Sequence, residues 1–204
     1  MTERKNQQVH DRLAGCYDIK WHPYIEATVG RAVASMDLAG DDRVLEVATG
    51  TGELIRRLRE NYPRVKLVGA DLSFQMLRQA RAKAPSHLTR WVQASADQLP
   101  FRDDAFDWIV CVNGFHCFRR PEQSLQQMRR VLRPGGQLLL VDWCDDYLTC
   151  KLCSLWLRLT DDAFYHTYTT RACRRLLSQA NFTIDHCDHF RVGWRWGMMW
   201  FVAH

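Results

Sequence analysis

The chain has 204 residues, of which 47% are hydrophobic and 25% charged, and its formal net charge is +5. That length allows one domain with a full core, and the apolar content excludes an intrinsically disordered chain. A charge of +5 falls short of a nucleic-acid footprint, although it suits an anionic substrate or a membrane surface. No stretch approaches the roughly 18 consecutive apolar residues of a spanning helix. The polar start MTERKNQQVHDR lacks the apolar segment of a secretory leader. A cytoplasmic location is therefore expected, with eight reduced cysteines acting as small hydrophobes. Cys150 and Cys153 form a single C-x-x-C pair, half of what a structural zinc site shows, so no metal site is expected.

Residues 9–37 read as one or two helices broken near Pro23. The apolar run 43–48 reads as a buried strand, and 53–62 as a helix ended by Pro63. A strand at 65–70 and an amphipathic helix at 73–84 follow, with Ser73 as the cap and Pro85 past the end. Strands at 89–94 and 106–113 flank the loop 95–105. Pro121 suits the first turn of a helix over 121–132, and the PGG at 134–136 turns the chain into a strand at 137–143. Helices at 149–159 and 171–181 precede two strands, 182–190 and 197–204. This order predicts an α/β fold: Rossmann-like and doubly wound, with a mostly parallel seven-stranded sheet and a C-terminal antiparallel hairpin. One domain over 1–204 is expected, with a helical cover at 1–40, a cofactor-binding core at 41–143, and substrate-side helices and a closing hairpin at 144–204.

The first strand carries one acid, Glu46, and opens into a turn with Gly50 and Gly52. Such a turn lets a ligand approach the backbone closely. In dinucleotide folds a third glycine follows, and the helix N-terminus takes a pyrophosphate. Here Ile55 stands in the third glycine's place, and Glu53 lies in the first helical turn, where it would repel a phosphate. Asp71 ends the second strand, where an acid can accept hydrogen bonds from both ribose hydroxyls. A ligand with a ribose, a cationic end and no phosphate is S-adenosyl-L-methionine.

Three segments taken in order, EVATGTG at 46–52, GADLS at 69–73 and ADQLPFRDDAFDWIV at 96–110, resemble a class I S-adenosylmethionine-dependent methyltransferase. The branch they most resemble holds the ubiquinone/menaquinone-type C-methyltransferases. The resemblance spans roughly residues 9–143. It implies that Glu46 helps hold the methionine ammonium through water or the turn backbone. Gly50 and Gly52 would let the methionyl part lie against the chain beside Ala48 and Thr51. Asp71 would take the ribose, Leu72 and Met76 would flank the adenine, and Ala96 and Asp97 would meet its edge. Asn113 would lie under the methionyl group, and Tyr17, in a covering helix over 10–18, would close over the cofactor. Met76 is equally readable as helix core, and Tyr17 as a packing aromatic.

The product implied is S-adenosyl-L-homocysteine, and the acceptor a small molecule, aromatic or lipophilic. After the fourth strand, GFHCFRRPEQ at 114–123 is where relatives often carry paired histidines. His116 stands in the first place, where it could steer or deprotonate an acceptor, and Cys117 departs from the pattern in the second. Trp143, Tyr165 and Trp194 are candidates for the acceptor pocket. The segment 191–201 interleaves two arginines with large aromatics, which suits either a packed closing hairpin or peripheral membrane contact. A non-catalytic cofactor-binding module and a nicotinamide-dependent oxidoreductase stay open as alternatives.

Overall fold

The computed structural model describes residues 3–160, 166–194 and 196–204. Two helices, α1 (Glu3–Leu13) and α2 (Tyr17–Ala34), precede strand β1 (Arg43–Val47). Then come α3 (Glu53–Asn61), β2 (Lys66–Asp71), α4 (Phe74–Lys83), β3 (Thr89–Gln93) and β4 (Phe106–Val112). A 3-10 turn at Phe115–Cys117 leads to α5 (Pro121–Val131) and β5 (Leu132–Trp143). The chain closes with α6 (Leu148–Thr160), α7 (Thr170–Gln179), β6 (Ile184–Val192) and β7 (Trp196–Ala203).

The sheet has seven strands in the order β3-β2-β1-β4-β5-β7-β6. The first five pair in parallel, and β7 runs antiparallel to both β5 and β6. This is the doubly wound sheet with a closing hairpin that the sequence predicts. Alternate residues face opposite layers because the side-chain period of a strand is two. Leu45, Ile109, Leu138 and Leu140 pack with α5 and α7 on one face. Val44, Val110, Leu139 and Val141 pack with α2 and α3 on the other. Both faces are covered, so β4 is buried along its whole length.

Two local expectations are corrected. Pro23 lies inside α2 and does not break it; the break falls at residues 14–16. A mid-helix proline loses one hydrogen bond to the preceding turn. The carbonyl so freed belongs to Ile19, which is 83% exposed and open to water. Burial of Tyr24, Ile25, Val29 and Ala32 on the opposite face keeps the helix continuous. The PGG segment is not a turn ahead of the fifth strand but an irregularity within it. Leu132 already pairs with Phe106, and the register shifts before Gln137 pairs with Trp108. Gly135 takes φ +73° there, and a Cβ on Gly136 would stand 2.8 Å from the Asp107 carbonyl oxygen. No helix among the described residues is long and apolar enough to cross a membrane.

Candidate active site

The strand order reverses between β1 and β4, and ligands of open α/β sheets bind outside the carboxyl ends of the strands at such a point. The turn after β1 begins there. Ala48, Gly50 and Gly52 all have positive φ, at 60°, 54° and 77°. The Thr49 N–H donates to the Ala70 carbonyl at 3.0 Å, and the Gly52 N–H donates to the Thr49 carbonyl at 2.9 Å. The two glycines serve different ends. A Cβ on Gly50 would meet no atom within 4 Å, so its open side faces the cleft. A Cβ on Gly52 would stand 2.7 Å from Ala80 Cβ and 2.8 Å from the Trp91 ring. Gly52 thus lets α3 start close against α4 and β3.

Asp71, at the end of β2, accepts from the Gly50 N–H and from the Ser73 N–H, each at 2.8 Å. Ser73 Oγ in turn caps α4 by accepting from the Met76 N–H at 3.1 Å. Burial raises the Asp71 pKa, with these two backbone donors acting against the rise. Glu46 lies behind the turn and accepts a short hydrogen bond from Thr49 Oγ1. Burial pushes its carboxyl up to about 8, again against a hydrogen bond that favours the anion. Thr51 Oγ1 donates to Asp18 of α2 and so ties the turn to the covering helices.

Between these elements lies a cleft of about 820 Å³, counting the open solvent at its mouth, within the usual size of a small-ligand site. Of the residues expected at the cofactor, Tyr17, Ala48, Gly50, Asp71, Leu72, Met76, Ala96, Asp97 and Asn113 line it. Glu46, Thr51 and Gly52 stand behind its wall. Asp97 is buried, accepts from Ser95 Oγ at 2.7 Å and pairs with Arg120 Nε at 2.6 Å. Asn113 donates from Nδ2 to Thr28 Oγ1 at 2.8 Å, while its Oδ1 is buried without a hydrogen-bond partner.

Sequence reasoning missed Asn6, Gln7, His10, Cys117, Phe118 and Arg119, which also line the cleft. The first three sit on one face of α1, at helical spacing from one another, which was the available signal. Asn6 Nδ2 donates to the Cys117 carbonyl at 3.1 Å. Asp11 Oδ1 accepts from Ser73 Oγ at 2.5 Å and from the Gln75 N–H at 3.2 Å. The cover helix is therefore latched to the ends of both β2 and β4.

His116 does not line the cleft. Its Nδ1 pairs with Asp142 Oδ1 at 2.8 Å, and its backbone N–H donates to Asp142 Oδ2 at 3.0 Å. Burial opposes the charged ring, but the Asp142 carboxylate outweighs it and holds the His116 pKa well above the ordinary value. Trp143 is packed between two rings: His116 at 4.9 Å and 9°, and Trp196 at 4.6 Å and 26°. Its Nε1 donates to the Tyr24 hydroxyl. Trp143 is thus a buried member of an aromatic stack rather than part of the cleft wall. Trp194 lies at the hairpin tip, 72% exposed, and Tyr165 falls outside the described residues. Among the described residues, Cys144, Asp146 and His189 are the one group with metal-ligand chemistry. The Thr170 hydroxyl bonds Asp146 and His189 at 2.5 and 2.6 Å, so the group serves as the cap of α7.

With this geometry in place, comparison with known proteins is decisive for the domain type. Residues 44–136 match the family described as a methyltransferase domain. The chain carries a class I methyltransferase domain. It is 43% identical over 116 residues to the demethylmenaquinone methyltransferase of Deinococcus radiodurans, covering 55% of this chain and 48% of that protein. It is 38% identical over 141 residues to the ubiquinone/menaquinone biosynthesis C-methyltransferase of Syntrophotalea carbinolica, covering 65% and 59%. The chain thus spans about half the length of these curated relatives. The methyltransferase solved in complex with the Trm112 activator of Haloferax volcanii superposes with a TM-score of 0.84, over 95% of this chain and 96% of that one. At 20% identity that likeness is one of fold.

The cofactor of the methyltransferase domain is S-adenosylmethionine, and the cleft fits it. Asp71 presents a carboxylate where the ribose would donate. The unpartnered Asn113 Oδ1 offers an acceptor to the ammonium, and the open side of Gly50 leaves room for the methionyl chain.

Proposed function

We propose that the chain is an S-adenosylmethionine-dependent methyltransferase acting on carbon of a small, lipophilic aromatic acceptor of the quinol class. The observation that carries this reading is the meeting of Asp71, Gly50 and Asn113 around one cleft at the switch point of the sheet. The names of the relatives, which act in menaquinone and ubiquinone biosynthesis, support the acceptor class.

Each residue then has a physical task. Asp71, aimed by two backbone N–H groups, accepts from the ribose hydroxyls. Leu72 and Met76 form apolar walls for the adenine, and Ala96 and Asp97 lie at its edge. Ala48, Gly50 and Asn113 line the methionyl end. Glu46 acts through the turn that it braces from behind. When bound, the cofactor supplies an electrophilic methyl group on a sulfonium. The protein's part is to hold the acceptor in line about 3 Å from it and to exclude water, which α1 does by closing the cleft. Tyr17, whose pKa burial raises, keeps its hydroxyl proton and remains a donor there.

The test is calorimetric titration with S-adenosylmethionine, S-adenosylhomocysteine and NAD, followed by transfer of labelled methyl to a reduced naphthoquinone acceptor. Micromolar binding of the two sulfur ligands and label in the quinol carbon support the reading. Binding of NAD alone would overturn it.

A further inference from the structure

Cys117 stands in the cleft wall beside Asn113 and Gly114, at the end nearest the turn after β1. Two histidines reach it from different elements. His10 of α1 donates from Nδ1 to the Asn6 carbonyl at 3.0 Å, which leaves its other ring nitrogen for the Cys117 thiol. His116 is oriented by Asp142 through Nδ1, and its side chain also hydrogen-bonds the thiol. The backbone of the cysteine is itself gripped by Asn6. A buried thiol flanked by two cationic rings, one backed by a buried carboxylate, is the setting in which a cysteine reacts as a thiolate. Nothing in the proposed methyl transfer uses it.

We propose that Cys117 is a covalent modification site, a thiolate that adds to α,β-unsaturated carbonyl compounds admitted to the cleft. The sulfur attacks the β-carbon and an S–C bond forms. The electron pair of the C=C bond moves to the carbonyl oxygen as an enolate, and the His10 imidazolium returns the proton. No oxidant is needed, and His10 is left neutral. Because Asn6 and His10 both hold Cys117, an adduct pushes α1 off its latch and fills the methionyl end of the cleft. The oxidised form of a quinol acceptor belongs to this class of electrophile; that extension rests on the function proposed above, whereas the thiolate itself does not.

The titratable groups facing Cys117 are His10 from α1, Tyr17 from α2, Cys111 from β4 and the adjacent His116, with Asp71 and Asp142 behind the two imidazoles. Burial works against the thiolate, but the two histidines more than offset it and bring the thiol down to about 6. His10 rises in step to about 9, its own burial outweighed by the bond to Cys117. At pH 6.5 such a thiol is mostly ionised, whereas one in the ordinary range is about 1% ionised. The lower basicity takes back part of the gain, which leaves a rate advantage of about five- to tenfold.

The experiment labels the wild-type protein with N-ethylmaleimide, and separately with naphthoquinone, and maps the modified peptides by mass. At pH 6.5 Cys117 should react about five- to tenfold faster than any of the other seven cysteines, three of which, Cys16, Cys153 and Cys187, are also partly or fully exposed. Its rate should rise through a midpoint near 6, and His10→Gln should move that midpoint upward. Earlier labelling of Cys16, a midpoint for Cys117 at the ordinary thiol value, or no effect of His10→Gln would each overturn the assignment. Addition of maleimide without naphthoquinone would overturn the extension to quinones while leaving methyl transfer untouched.

Discussion

The Asp71 carboxylate and the Gly50 backbone N–H meet at 2.8 Å across 21 residues of sequence. This bond joins the two halves of the cofactor cleft, the turn after β1 and the end of β2. The same side chain is therefore both a strut of the turn and an acceptor facing the cleft.

Asp71→Ala should lose both tasks at once. We expect S-adenosylmethionine affinity to fall by about 2–3 kcal/mol, since a charged hydrogen-bond partner is removed. A lower melting temperature should accompany the loss, because the Gly50 and Ser73 N–H groups lose their acceptor. Calorimetry and thermal unfolding measure the two effects separately, and unchanged affinity would refute the ribose assignment.

Gly50 and Gly52 should fail differently when substituted. Gly50→Ala meets no atom within 4 Å, so its cost is the positive φ alone, about 1–2 kcal/mol. The larger Gly50→Val should keep the fold and block the cleft. Gly52→Ala should instead lower the melting temperature more than Gly50→Ala, because its Cβ collides with Ala80 and Trp91. Circular dichroism melts of both alanine variants, with ligand titration of Gly50→Val, decide the matter. Equal melts would contradict the packing role of Gly52.

Glu46 makes stability fall as pH rises. Its folded pKa is raised by burial from 4.5 to about 8, so between those values the native state holds a proton that the unfolded chain has lost. By linkage, stability declines through that window, and the loss is complete once the pH passes about 8. Glu46→Gln should flatten this decline in urea unfolding at pH 6, 7 and 8. A variant with the slope of the wild type would show that Glu46 does not titrate there.

His116 and Asp142 form a buried ion pair. The pKa of the histidine is raised, so its contribution to stability is present in full below the unfolded value of 6.5 and is lost as pH climbs through the folded value. Asp142→Asn removes the opposing charge and leaves burial alone, which should drop the His116 pKa below the ordinary range. Breaking such a pair costs about 3–5 kcal/mol where the remaining charge stays buried, and less here because the ring can neutralise. Imidazole proton shifts followed by nuclear magnetic resonance across pH 5–9 would report it. A histidine titrating near 6.5 in the wild type would contradict the pairing.

Much of the fold was legible in the sequence because its signals are local. Apolar runs of strand length alternate with helical spacing, and Ser73, Pro121 and Pro85 punctuate them where the chain must start or stop a helix. Half of the site was equally legible. A carboxylate at a strand end and a glycine turn at a helix start report backbone needs that a few neighbouring residues settle.

What the sequence by itself determined is therefore the alternation of elements, the positive-φ turn around Gly50 and the acid that faces it. Tertiary structure alone decided the rest. Asn6 and Cys117 meet across 111 residues, and the face of α1 that covers the cleft is chosen by the ends of β2 and β4 rather than by helical periodicity. Trp143 reads as a pocket aromatic until the chain places His116 and Trp196 on its two faces. Pro23 reads as a helix break until the packing of α2 outweighs one lost hydrogen bond. A local pattern states what a residue can do, while packing partners distant in sequence decide which of those options has the lower free energy.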